Sequence, residues 1–200
     1  MDVVAESNIN RQLPALDETV GRLKIEVLRE RVAAIAPDCR VHAVDDFLTQ
    51  DNIDALIPAD ARVVVDCIDS FRVKAALIAR LKRRKQKVIT VGGAGGMVDP
   101  SRLHIVDLSR AEQDALLARL RKTLRQDYGY SRNLKRRFDI PAVCSSEVPR
   151  FADGNGGVTY AKAGASGLSC AGGLGSSVTV TASAGLLAAS WVLGELTRET

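Results

Sequence analysis

Two hundred residues with 46% hydrophobic content, 28 Lys and Arg against 24 Asp and Glu, and a net charge of +4 suit one globular domain and exclude a largely disordered chain. The 4 cysteines (Cys39, Cys67, Cys144, Cys170) form no CxxC pair, which argues against a structural zinc site and a disulfide framework and makes a reducing cytoplasm the expected location. Asp2 and Glu6 directly after Met1 do not fit a secretory signal, so none is expected.

The chain opens on Asn8-Ile9-Asn10-Arg11-Gln12, followed by Lys24 and, beyond a valine-rich run, by Asp66-Cys67-Ile68-Asp69. Arg and Lys can neutralise triphosphate oxygens, and an Asp at a strand tip can hold Mg²⁺ through hard oxygen ligands. A capped helix with surface charges accounts for any one of these residues alone. Residues 17–36 read as a helix capped by Asp17, with Val20, Leu23, Val27, Leu28, Val32 and Ile35 on one face and Pro37 ending it. Lys24 falls at the margin of that stripe.

Residues 40–44 read as a short strand and 50–57 as a short helix. Residues 62–69, a run of Val ending in acids, carry the pattern of a parallel strand buried on both faces whose carboxyl end opens onto a site. A helix over 70–85 follows, with Val73, Leu77, Ile78 and Leu81 inside and cations collecting at its end, and then a strand over 87–91. The alternation is βαβ and the fold class α/β.

Gly92-Gly93-Ala94-Gly95-Gly96 after that strand could cradle phosphate through bare N–H groups. It opens no helix, since an extended segment over 102–106 comes next. It therefore reads as a tight passage where backbone approaches a substrate or a neighbouring subunit, or as a simple turn. Residues 111–126 read as a basic amphipathic helix, and 127–140 as a basic loop dotted with Tyr128, Tyr130 and Phe138. From 119 to 137 the basic residues Arg119, Arg121, Lys122, Arg125, Arg132, Lys135, Arg136 and Arg137 meet a single acid, Asp127. Such a run suits either a solvated face or an acidic partner such as RNA or an anionic membrane.

The last third is Gly- and Ser-rich around Cys170. That thiol is either reachable by a substrate or a small apolar residue packed under the last helix. Residues 178–193 carry no charge but are short of a membrane span, so they read as a buried core helix and membrane association is not expected.

Residues 1–12, Lys24 with its helix, Asp66-Cys67-Ile68-Asp69-Ser70 and Gly92-Gly93-Ala94-Gly95-Gly96 resemble the ThiF/MoeB/HesA group of adenylating enzymes, relatives of the ubiquitin-activating enzymes. Val44-Asp45-Asp46-Phe47, Lys74-Ala75-Ala76-Leu77-Ile78-Ala79, Cys144-Ser145-Ser146-Glu147 and Ser169-Cys170-Ala171-Gly172-Gly173 extend the likeness to the tRNA threonylcarbamoyladenosine dehydratase branch. The sulfur-carrier adenylyltransferases of the group usually carry two CxxC pairs, which this sequence lacks.

The resemblance implies a Rossmann-like doubly wound sheet, ATP and Mg²⁺ as cofactors, a tRNA substrate and a homodimer. It implies that Arg11 and Lys24 bind the triphosphate, that Asn8 and Gln12 help hold nucleotide, and that Asp69 holds Mg²⁺. Cys170 matches a cysteine of the branch, with a covalent role, a partnership with a sulfur-mobilising cysteine desulfurase system and a structural role all open. It also implies that the first strand, its glycine loop, the first helix and most of the second strand precede Met1, with the ribose-contacting acid two positions before Asp2. The chain is thus expected to be one N-terminally truncated domain over 1–200. The alternatives are an adenylyltransferase for a ubiquitin-like sulfur carrier and a catalytically dead interaction module.

Overall fold

A computed structural model of the chain describes residues 2–153, 155, 157–160 and 175–198. Its centre is a four-stranded sheet in the order β1-β2-β4-β3, built from β1 (Val63–Asp66), β2 (Lys87–Val91), β3 (Leu103–Asp107) and β4 (Pro141–Ser145). β1, β2 and β4 run parallel, whereas β3 is antiparallel to β4. A crossover helix between β1 and β2 makes the parallel pairing possible. A separate two-stranded ribbon pairs β5 (Phe151–Ala152) with β6 (Val158–Thr159).

Helices cover both faces of the sheet, which is why its central strands are apolar on both sides. α3 (Phe71–Arg83) and α4 (Ala115–Asp127) pack on one face, where Val88, Ala142 and Cys144 join Leu77, Ile78, Leu81, Leu117, Leu120 and Leu124. α5 (Val178–Thr197) packs on the other, where Ile89 and Val143 meet Ala184, Ala188 and Trp191. Each wholly buried Leu or Ile contributes roughly 1.5–3 kcal/mol by leaving water. Asp114 ends the approach to α4 by accepting the Leu117 N–H at 2.9 Å, a side-chain N-cap.

Several expectations change. The helix placed over 17–36 begins only at Lys24, as α1 (Lys24–Ile35), and Asp17 instead opens a one-turn 3₁₀ segment. Gly21, at φ +88°, turns the chain so that Val4 pairs with Gly21 and Arg22 through N–H···O bonds of 2.8 and 2.9 Å, taking Val20 and Leu23 out of any helix. Of the stripe on α1 only Val27 is buried, and Ile35 is 72% exposed. Residues 40–44 form no strand among the described residues, and Val41 and Val44 are exposed. The helix over 50–57 shrinks to α2 (Ile53–Leu56). The uncharged stretch at the end of the chain extends into α5, which at 20 residues is long and apolar enough to cross a membrane by length and composition. One of its faces lies on the sheet, while Leu186 and Leu193 face outward.

Candidate functional site

The N-terminal segment folds back on the start of α1. Val3 bridges Leu23, and the Lys24 N–H donates to the Asp2 carbonyl at 3.0 Å. The Lys24 ammonium, four-fifths buried, then pairs with the exposed Asp2 carboxylate at 2.7 Å. Because the Asp2 carboxylate is open to water, the pair contributes about 0–1 kcal/mol, so an incoming phosphate could displace the carboxylate at small cost. Asn8 is buried and its side-chain oxygen accepts the Ala5 N–H at 3.1 Å, which shapes the turn leading to Arg11. Arg11 donates to the Ser7 carbonyl at 2.6 Å and to the Asn10 side chain at 2.8 Å. Neither acceptor carries charge, so the guanidinium keeps its full charge for an anion. The Arg11 carbonyl accepts from Thr181 at 3.4 Å and Asn10 donates to the Ser176 carbonyl at 3.2 Å, tying this segment to the start of α5.

Asp69 lies beyond the carboxyl end of β1, exposed, just before the Ser70 that precedes α3. No hydrogen bond or ion pair joins it to Arg11 or Lys24 among the described residues, so the three expected charges make no direct contact with one another. The described residues contain no cluster of three or more His, Cys, Asp or Glu suited to a metal. Mg²⁺ does not need such a cluster, because it keeps waters and takes substrate phosphate oxygens.

The turn that carries Asp69 is held by a network sequence reasoning missed. Lys74, wholly buried, donates to Asp66 Oδ2 at 2.9 Å, Thr90 Oγ1 at 3.0 Å, the Val91 carbonyl at 3.1 Å and the Asp66 carbonyl at 3.2 Å. Asp66 Oδ2 also accepts from Thr90 at 2.8 Å, and its Oδ1 accepts the Ile68 N–H at 3.0 Å. The signal was present: positions 74, 77, 78 and 81 form the helical core stripe, so the inward residue is Lys74 where Val73 was expected.

The glycine-rich loop is a crossing point of backbones. Gly96, at φ +73°, donates to the Gly175 carbonyl at 2.8 Å and accepts the Arg150 N–H at 2.9 Å, and a Cβ there would collide with the Arg150 carbonyl. Glu147 braces the same crossing: one of its oxygens accepts the Val98 and Asp99 N–H groups at 3.0 and 2.8 Å, and the other meets Arg150 at 2.9 Å. Burial raises the Glu147 pKa, but the Asp99 N–H, Arg150 and the Val98 N–H outweigh it and leave the carboxyl below its ordinary value. A cavity of about 340 Å³ lies between this loop, Asn10, Arg150 and the first residues of α5.

The basic run divides. Arg125 sits 5.1 Å over the Phe138 ring and Arg137 lies 3.7 Å from Asp107, so both serve the fold. Tyr130 and Phe138 meet edge to face at 4.9 Å and pack against the core, so the loop aromatics are no stacking platform. Arg119, Lys122, Arg132, Lys135 and Arg136 remain exposed.

Cys170 lies outside the described residues. Cys39 and Cys67 are exposed, while Cys144 is buried with its thiol pushed up to about 11 by loss of solvent. The fold sets Cys144 Sγ 3.7 Å from His104 Nε2 across β3 and β4.

A family model described as "ThiF family" matches residues 1–194. A tRNA threonylcarbamoyladenosine dehydratase of Haemophilus influenzae is 43% identical over 199 residues, covering 100% of this chain and 75% of that protein. A solved structure of TcdA (CsdL) covers 100% of this chain and 75% of its own, at 38% identity and a TM-score of 0.89. The Escherichia coli tRNA N6-threonylcarbamoyladenosine dehydratase, TcdA, in complex with ATP superposes with a TM-score of 0.84 at 37% identity, covering 100% of this chain and 74% of its own. The chain belongs to the ThiF family.

Proposed function

We propose that this chain belongs to an ATP-dependent dehydratase of threonylcarbamoyladenosine in tRNA. The observation that carries the reading is 43% identity, over 100% of the chain, to a relative bearing that activity in its name. The superposition on an ATP-bound relative supports nucleotide as co-substrate.

The chemistry follows from the substrate. Its threonylcarbamoyl group ends in a carboxylate, a poor electrophile because the leaving group would be oxide. Attack of that carboxylate on the α-phosphorus of ATP forms an acyl adenylate and releases pyrophosphate. Attack on the activated carbonyl from within the same side chain then closes a ring and expels AMP, and the modified nucleoside has lost one water. Arg11 and Lys24 would bind the triphosphate and offset the charge that grows on its oxygens. Asn8 and Gln12 would help hold the nucleotide. Asp69 would hold Mg²⁺, which supplies Lewis-acid neutralisation of phosphate oxygens. The roles of Cys170, including a cysteine desulfurase partner, belong to the same reading.

The reading also carries a single domain over 1–200, a homodimer and a cytoplasmic setting. The outward Leu186 and Leu193 of α5 support a partner surface, and the Lys87–Glu195 pair at 2.6 Å, docking the end of α5 on β2, supports a soluble placement of that helix. The sulfur-carrier adenylyltransferase is separated by substrate: replacing the tRNA with a Gly-Gly-ended carrier protein should give no AMP. AMP formed only with the carrier would reject the dehydratase reading.

A further inference from the structure

We infer that the cleft between the start of α3 and the outer face of α4 is a seat for the phosphodiester backbone of RNA, built on Phe71, Arg72, Arg119 and Lys122. The inference rests on the reading of tRNA as substrate and names where the chain holds it. The cleft encloses about 360 Å³, and Phe71, Arg72, Arg119, Lys122 and Gln126 line it. Two guanidinium groups share one ring: Arg72 lies 5.5 Å and Arg119 5.9 Å from the centroid of Phe71. Cation–π attraction thus holds both arginines at the cleft while leaving their N–H donors outward.

Helical spacing adds the third charge. Arg119 and Lys122 are three positions apart and so share a face of α4, opposite the buried Leu117, Leu120 and Leu124. Three cations therefore converge against one lining acid, Asp127, and none of the three has an ion pair among the described residues. Several other cations do have such partners: Arg80 and Arg84 meet Asp54, Lys87 meets Glu195, Arg137 meets Asp107 and Arg150 meets Glu147. Convergent like charges repel and destabilise the bare fold, and a bound anion reverses the sign of that term.

The arrangement fits a polyanion better than a lone phosphate. The cations spread over two helices, and the exposed Arg132, Lys135 and Arg136 follow α4 in the chain. The cleft also adjoins the reaction end of the sheet, because Phe71 is two residues from Asp69 and begins α3, whose N-terminal dipole favours phosphate. A backbone seated here presents its neighbouring nucleotides to the tip of β1.

The test uses the full chain and tRNA bearing threonylcarbamoyladenosine, measuring retention across a KCl series and steady-state KM values. Arg119→Gln/Lys122→Gln should lower the log–log salt slope by about 1.5, since each lost phosphate contact removes roughly 0.7–0.9. KM for tRNA should rise about tenfold, equivalent to about 1.4 kcal/mol, while KM for ATP stays the same. Arg119→Lys should keep the slope. Phe71→Leu should weaken binding while keeping the slope, because it frees the arginines without removing charge. An unchanged slope and unchanged KM for tRNA in the Gln variant would overturn the inference, as would a rise confined to KM for ATP, which would make the cleft part of the nucleotide site. Wild-type chain that binds tRNA through this cleft but does not dehydrate it would overturn the functional reading and leave the inference standing. Wild-type chain that fails to retain tRNA would overturn both.

Discussion

Lys74 Nζ lies 2.9 Å from Asp66 Oδ2, and both side chains are wholly out of solvent. Breaking a buried pair leaves an uncompensated charge, which costs about 3–5 kcal/mol. Lys74→Met should therefore lower unfolding free energy in urea by that order. It should also reduce AMP formation, because Asp66 Oδ1 holds the Ile68 N–H in the turn carrying Asp69. A variant of unchanged stability would mean that the pair can be replaced without loss.

At Gly96 the positive φ and the Arg150 carbonyl act together against any side chain. Gly96→Ala should destabilise by on the order of 1–3 kcal/mol from backbone strain alone, with more from the displaced Arg150. Gly93→Ala, where nothing lies within 4 Å and φ is not positive, is the control and should melt close to wild type. Equal melting temperatures for the two variants would contradict the crossing described for this loop.

Two buried carboxylates should move acid stability in opposite directions. Burial raises the Asp107 pKa, but hydrogen bonds from the Phe138, Ser109 and Ile140 N–H groups outweigh it, so the net shift is downward. A depressed folded pKa gives stability that is present above the ordinary carboxylate range and lost as pH falls through the folded value. Asp114 shifts upward because burial outweighs its hydrogen bonds from Leu117, Gly93 and Leu116. Its contribution is fully present below the ordinary carboxylate range and is lost as pH rises through the folded value. Asp107→Asn should lower stability at pH 7 and flatten the loss in acid, whereas Asp114→Asn should steepen it. Urea midpoints from neutral pH down through the carboxylate range decide the matter, and parallel curves for both variants would contradict the assignment.

Lys24→Ala and Asp69→Asn should each cut AMP release on the order of 10²–10³-fold, the loss typical of removing one charge-stabilising group. Asp69 is exposed, so Asp69→Asn should change stability by less than about 0.5 kcal/mol. Normal AMP release in both variants would remove these residues from the site.

How far the sequence reveals this fold depends on which signals are local. The valine run ending at Asp66 and the apolar spacing of Leu77, Ile78 and Leu81 mark β1 and α3, although β1 is not buried on both faces as expected: only Asp66 is buried, and Val65 is 45% exposed. Lys24 was readable as a charge but its partner was not, since only tertiary pairing of Val3 with Leu23 brings Lys24 beside Asp2. Gly21 overrode the helical pattern through its backbone conformation, which composition does not display. The Phe71 cleft needed two helices in place before Arg72 and Arg119 could share one ring.

The account is tested most directly on the nucleoside. Purified chain should be incubated with tRNA bearing threonylcarbamoyladenosine, with and without ATP, and the digested nucleosides weighed by mass spectrometry. The dehydratase reading predicts an ATP-dependent product lighter by one water, with AMP formed in equal amount. An unchanged nucleoside mass in the presence of ATP, from chain that is folded and retains tRNA, would contradict it.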